Sequence, residues 1–247
     1  MMSSPNFNER KLSISMLVLH YTGMESGAAA RERLCDPAAE VSAHWLVHED
    51  GRVESLVGED KRAWHAGRGS WNGITDVNSA SIGMEIVNGG HNVPLADGSL
   101  PPYPDEQILA VTKLAKEIIG RHNILARNVV GHSDIAPDRK EDPGEHFPWA
   151  GLAAAGVGVW PGELADDLRI VFEYNDRDRG IAILQRGLAD LGYGASVTGC
   201  LDSATQSIIR AVQRRYRPKK IDGVVDMQLM EIIKRLSEMS RSADLNV

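Results

Sequence analysis

Gly131-His132-Ser133-Asp134-Ile135-Ala136-Pro137-Asp138-Arg139-Lys140-Glu141-Asp142-Pro143-Gly144 is the stretch from which the rest of the chain can be read. It gathers an imidazole, a lysine and several carboxylates. Pro137 and Pro143 forbid a continued helix, and Gly144 releases the backbone. So polar a segment reads as a loop outside the core. The apolar Val129-Val130 before it reads as the end of a buried strand, so His132 leaves a sheet edge and the loop carries Lys140 and Asp142 back towards it. Sites are often built this way, with reactive groups on a loop held by a rigid sheet.

A neutral imidazole and a carboxylate suit Zn²⁺, but a catalytic zinc takes three protein ligands and leaves a fourth position for water. A third ligand must therefore come from elsewhere. Ser15 to Tyr21 is a short apolar run ending in His20-Tyr21-Thr22 and Gly23, which reads as a buried strand presenting an imidazole at its C-terminal end. His20, His132 and Asp142 thus form a candidate trio. Taken singly, each histidine reads more readily as a structural or surface residue, and Asp142 as a turn former before Pro143-Gly144.

Working outward, Glu25 to Leu34 reads as a helix stopped before Asp36-Pro37. Asp50-Gly51 between Ala43–His48 and Val53–Val57 is a hairpin signal. In Ser79 to Val87, Ile82, Met84 and Ile86 alternate against Gly83, Glu85 and Val87, so Glu85 faces away from its apolar neighbours. Asp105 to His122 is an amphipathic helix with Ile108, Val111, Leu114, Ala115, Ile118 and Ile119 on one face. Strands mixed with helices in this way make an α/β core. Phe147-Pro148-Trp149 opens a last short helix, and Gly156 to Pro161 closes the unit.

Residues 164–180 are charged and mixed, and read as a connection. After them the texture changes. Ile181, Leu184, Leu188 and Leu191 make one helical stripe. Ser203 and Gln206 read as a capping box opening a second helix through Ile208, Ile209, Val212 and Tyr216. Asp226 can cap a third through Leu229, Ile232, Ile233 and Leu236. The expected organisation is a unit over 1–163, a linker over 164–180 and a small three-helix unit over 181–240, too short to bury much by itself and with its stripes forming mostly its own core.

Of 247 residues, 43% are hydrophobic and 25% charged, ordinary composition for a chain that can bury a full core. A net charge of -7 argues against nucleic acid, because duplex binding needs clustered excess Lys and Arg. Cys35 and Cys200 lie far apart and form no metal-type or redox-type pair, which reads as two free thiols in a reducing compartment. The N-terminus lacks the apolar region of a secretory signal, and nothing in the chain is long enough for a membrane helix. The expected compartment is the cytoplasm, with the periplasm or envelope as the alternative; the oligomeric state is left open.

Val18-Leu19-His20-Tyr21-Thr22, Ser42-Ala43-His44, Trp64-His65-Ala66-Gly67, Ser81-Ile82-Gly83-Met84-Glu85 and the run Gly131 to Gly144 resemble, in this order, the zinc-dependent N-acetylmuramoyl-L-alanine amidases. Those enzymes share a fold with peptidoglycan recognition proteins and the phage T7 lysozyme type. The resemblance covers roughly Pro5 to Pro161. Ile181 to Leu236 is similar to the three-helix peptidoglycan-binding domain that often accompanies such enzymes. The resemblance implies a central mixed sheet flanked by helices, with Zn²⁺ held by His20, His132 and Asp142 and catalysis served by Glu85 and Lys140.

Zn²⁺ can bring a water's pKa to about 7, and the hydroxide would attack the lactyl-amide carbonyl joining muramic acid to L-Ala. Glu85 would move the proton to the leaving amine, and Lys140 would stabilise the oxyanion. Two readings stay open for His65, contact with substrate or packing, and two for Trp64, a face for sugar or peptide or a core residue. His44 reads as strand packing; His48, His91, His122 and His146 read as surface or loop residues. The implied partners are peptidoglycan or muropeptide fragments. The competing reading is a peptidoglycan-binding module on the same fold that does not hydrolyse, which the presence of all five site residues argues against.

Overall fold

The computed structural model describes residues 4–244, so the first three residues of the expected 1–163 unit lie outside the described residues. In chain order the first elements are β1 (Phe7–Glu9), β2 (Met16–Tyr21), α1 (Gly27–Cys35), β3 (Trp45–Val47), β4 (Val53–Ser55) and β5 (Lys61–Ala63). There follow α2 (Val77–Ala80), β6 (Ser81–Ile86), α3 (Asp105–His122), β7 (Val129–Gly131), α4 (His132–Ile135) and α5 (Trp149–Ala154). The C-terminal part holds β8 (Ile170–Phe172), α6 (Arg179–Asp190), α7 (Ser203–Tyr216), β9 (Val225–Asp226) and α8 (Met227–Asp244).

Five strands make the central sheet in the order β4-β3-β6-β2-β7. It is mixed: β3, β6, β2 and β7 run parallel, and only the β3–β4 hairpin is antiparallel. Alternation along β2 sorts its side chains to two faces. Leu17 and Leu19 join Ile82, Met84 and Ile86 of β6 against Val111, Leu114, Ala115 and Ile118 of α3. Met16 and Val18 take the other face, and His20 follows them on it. The α3 stripe read from the sequence is thus the cover of one side of the sheet. The opposite side is shared between the polar site and the C-terminal helices. Among the described residues no helix is long and apolar enough to cross a membrane.

Several expectations are corrected by burial. Far from being an exposed loop, the central stretch is buried from Gly131 through Ala136 and again at Asp142, because its polar groups are satisfied inside the protein. His48 is also buried and hydrogen-bonds Glu54 through Nε2 at 3.1 Å. The cap of α7 is Asp202, whose carboxylate accepts from the Thr205 N–H, not Ser203; Asp226 does cap α8 by accepting from the Leu229 N–H. The 164–180 segment is more than a connection, since β8 within it pairs with β9.

The helical stripes of α6, α7 and α8 do not close on themselves. Ile208, Ile209, Val212 and Leu188 belong to one apolar cluster with Met16, Val18, Val130, Ile135 and Ala136. A small helical unit with too little core of its own finds the remainder on the back of β2, β7 and α4.

Candidate active site

Parallel strands bring their C-terminal ends to one edge of the sheet, the usual place for a site in α/β proteins. His20 on β2 is the register partner of Glu85 on β6, so both side chains leave the same face. His132 follows directly on β7 as the first residue of α4. Asp142 is returned to it by a backbone bond, in which the Ser133 N–H donates to the Asp142 carbonyl at 2.9 Å. Gly131 permits the close return: a Cβ there would stand 2.8 Å from Cδ of Pro143.

The three ligands proposed from sequence converge. His20 Nδ1 lies 3.0 Å from His132 Nδ1 and 2.9 Å from Asp142 Oδ2, and His132 Nδ1 lies 3.0 Å from that same oxygen. All three residues are buried. The surrounding hydrogen bonds fix which nitrogens carry protons. Ser81 Oγ donates to the Val77 carbonyl at 2.6 Å, which leaves it to accept from His65 Nε2 at 3.1 Å. His65 Nδ1 is then bare and accepts from His20 Nε2 at 3.0 Å, so His20 Nδ1 is bare as well. His132 Nε2 donates to the Ala66 carbonyl at 2.9 Å, which likewise bares its Nδ1.

Two lone pairs and a carboxylate oxygen, each about 3 Å from the others with no proton between them, repel one another unless a cation sits among them. A tetrahedral ion with bonds near 2.0–2.1 Å spaces its ligands about 3.3–3.4 Å apart, close to what is seen. The residues fit a divalent metal.

Burial pushes the His20 imidazole down to about 4, with His132 adding to the effect against the pull of Asp142. It is therefore neutral at pH 7, the form a ligand needs. Glu85 goes the other way: burial, and then the Asp142 charge, hold its carboxyl well above the ordinary value, with Lys140 opposing. Its Oε2 is buried and has no hydrogen-bond partner among the described residues. That is the condition of a group whose partner is a reactant.

A cavity of about 260 Å³ opens above these groups, lined by His20, His132, Asp142, Glu85, Lys140 and Trp64 among others. His65 borders it too, yet both its ring nitrogens are engaged within the protein. Its place depends on Gly83, where a Cβ would stand 2.3 Å from Cγ of the imidazole. Trp64 is half-buried and donates from its indole to Asn8. His44 packs beneath, accepting from the Gly83 N–H at 2.9 Å.

Sequence reading missed Ser81 and Asn78, whose Oδ1 receives the N–H groups of both His65 and Ala66. Only the small residues Asn78-Ser79-Ala80-Ser81, three of them polar, before an apolar strand hint at them.

A buried trio of two imidazoles and a carboxylate beside an unpartnered carboxyl, at the C-terminal edge of a parallel-centred sheet, defines a hydrolase that activates water. The chain belongs to the N-acetylmuramoyl-L-alanine amidase family: residues 10–145 match that family's model, and residues 177–233 match the model of a peptidoglycan binding domain. It is 36% identical over 235 residues to N-acetylmuramoyl-L-alanine amidase AmiD of Escherichia coli K12, an alignment covering 91% of this chain and 83% of that protein.

The 1,6-anhydro-N-acetylmuramyl-L-alanine amidase AmpD of the same organism is 42% identical over 110 residues, 44% of this chain and 55% of that one. Among solved structures, the fold superimposes with a TM-score of 0.79 on E. coli AmiD in complex with the substrate anhydro-N-acetylmuramic acid-L-Ala-D-γ-Glu-L-Lys, at 33% identity and covering 94% of this chain and 92% of that one. It superimposes with a TM-score of 0.75 on AmpDh3 from Pseudomonas aeruginosa in complex with anhydromuramic pentapeptide, at 32% identity and covering 97% and 96%.

Proposed function

We propose that this amidase is a zinc enzyme and that it cleaves the amide between the lactyl group of 1,6-anhydro-muramic acid and L-Ala in soluble peptidoglycan fragments. The observation that carries the reading is the trio of unprotonated donors beside the unpartnered Glu85 carboxyl in one cavity. His20, His132 and Asp142 would hold the metal. Two imidazoles with one carboxylate, and a site left open to the cavity, are the donor set of catalytic zinc. When bound, Zn²⁺ supplies Lewis-acid polarisation of a carbonyl and makes water acidic near neutral pH. The preference for the anhydro form is supported by the muropeptide ligands of the similar solved structures.

Within that frame the chain's own groups divide the work. Glu85, destabilised as an anion by burial, accepts a proton from the attacking water and returns it to the nitrogen of the departing L-Ala. Lys140 places a positive charge on the same cavity, where it offsets the negative charge developing on the carbonyl oxygen. His65 orients His20 instead of touching substrate, because neither of its nitrogens is free. Trp64 offers part of its ring to the glycan side. We propose the cytoplasm as the compartment; recovery of the chain with the envelope on cell fractionation would overturn that part.

The test is incubation of anhydro-muramyl-L-Ala-D-γ-Glu-L-Lys with zinc-loaded and with chelator-treated protein, followed by mass analysis. Release of free tripeptide by the loaded form alone is the expected result. Failure of the loaded form to cleave would sink the proposal and leave a binding module.

A further inference from the structure

We propose that the C-terminal helical unit is part of the metal site's support, with Arg215 and Tyr193 acting as positioning residues for the loop that carries His132, Lys140 and Asp142. The proposal rests on the reading of His20, His132 and Asp142 as metal ligands. Its centre is Asp134, two residues after His132 in the single turn of α4. The Asp134 carboxylate is almost fully buried. Oδ2 accepts from the Gly131 N–H at 2.8 Å and from Arg215 Nη1 at 2.6 Å, and Oδ1 accepts from the Tyr193 hydroxyl at 2.8 Å. Two of these three donors belong to the C-terminal unit.

Arg215 reaches further along the same path. Its Nη2 donates to the Val129 carbonyl at 2.9 Å, so one guanidinium holds both the last strand, β7, and the turn that follows it. Its Cζ lies 4.1 Å from the ring centroid of Trp149, which fixes the plane of the fork. The preceding residue serves the other end of the loop. Arg214 Nη2 donates to Glu141 Oε1 at 2.8 Å, between Lys140 and Asp142. Consecutive arginines at the end of α7 therefore grip the loop beside both of its ligands.

The physical consequence follows from burial. With the Arg215 charge removed, the buried Asp134 carboxylate keeps only the Gly131 N–H and the Tyr193 hydroxyl, and the turn must open to find it another partner. That opening moves the backbone that aims His132 Nδ1 at its two neighbours. Groups that orient a metal ligand from behind typically change affinity 10- to 100-fold when removed. A module whose only task were to hold polymer would not need a buried ion pair to the hydrolase, since exposed contacts suffice for tethering.

The experiment uses the full chain with Arg215→Met, Arg215→Lys and Tyr193→Phe. Zn²⁺ affinity is read by chelator competition, ligand geometry by the visible spectrum of the Co²⁺-loaded protein, and folding by thermal melts. Leu229→Ala, in the shared apolar cluster and not among the hydrogen-bond partners of Asp134, serves as the control for destabilisation alone. Arg215→Met should weaken Zn²⁺ binding roughly 10- to 100-fold and shift the Co²⁺ bands. Tyr193→Phe should do the same more mildly, and Arg215→Lys should recover part of the loss.

Leu229→Ala should melt earlier with both metal readouts unchanged. Wild-type affinity and bands in folded Arg215→Met and Tyr193→Phe would overturn the proposal, as would an equal loss in Leu229→Ala. Should Arg215→Met not fold, Tyr193→Phe and Arg215→Lys decide, because both keep a cation beside Asp134. If the wild type does not bind Zn²⁺, or His132→Ala leaves binding intact, the metal reading itself falls and takes this proposal with it.

Discussion

His20 and Glu85 are register partners on adjacent parallel strands, and that single pairing places the proposed metal donor and the proposed proton carrier on one face within one step of the sheet. The tasks proposed for the two differ because their surroundings differ. His20 spends Nε2 on His65 and turns a bare Nδ1 to the cavity. Glu85 has its Oε2 left over. Replacing Glu85 by Gln keeps shape and volume while removing the base. Metal content should stay at the wild-type level, and turnover on the anhydro-muropeptide should fall by about 10²- to 10⁴-fold. Turnover within a factor of a few of wild type would remove Glu85 from the mechanism.

His132→Ala is expected to behave differently, since it deletes a donor. Metal and activity should disappear together, and added Zn²⁺ should restore neither at stoichiometric concentration. Chelation of the wild type should abolish cleavage, and returning Zn²⁺ should restore it. Elemental analysis alongside the cleavage assay separates the cases.

Support for His20 runs through a chain of side chains that can be broken at two points. Ser81→Ala removes the acceptor that fixes His65, so the imidazole is free to take the other tautomer and set a proton against His20 Nε2. Gly83→Ala drives a Cβ to 2.3 Å from the His65 ring, which must move; overpacking of this kind costs about 1–3 kcal/mol. Both variants should lower Zn²⁺ affinity, Gly83→Ala by more and with an earlier melt. Isothermal titration with Zn²⁺ reports the first effect and thermal denaturation the second.

How much of this could be read beforehand depended on the kind of signal. The candidate metal donors are legible because a histidine at the end of an apolar run, as at His20, conflicts with its context. The α3 helix is legible because Ile108 to Ile119 repeat on one face. The burial of Asp134 was not legible, since a carboxylate between His132 and Pro137 looks like any loop residue until its partner is known. That partner left a trace. Arg215 falls seven residues after Ile208 and three after Val212, on the stripe that α7 buries, and a charge on an apolar stripe calls for an opposite charge across the interface. Ser81 was hidden for another reason: a serine at a helix-to-strand junction carries no sequence pattern, and its meaning appears only when His65 is folded onto it.

Acid stability should be set in part by the histidines held neutral inside the protein. Burial lowers the His44 imidazole from 6.5 to about 4, against a smaller upward pull from the Lys61 carbonyl. Between those two values the unfolded chain binds the proton and the folded one does not. The stabilisation is therefore complete above pH 6.5, declines as the pH falls, and is lost once the pH has passed through about 4. At 1.36 kcal/mol per pH unit, His44 accounts for about 3 kcal/mol of that slope. In His44→Asn the amide oxygen can still accept from the Gly83 N–H but cannot titrate. Urea unfolding of metal-free protein at several pH values should show a shallower decline for the variant than for the wild type across pH 6.5 to 4. Parallel declines would mean that His44 is not among the groups that set the acid limit.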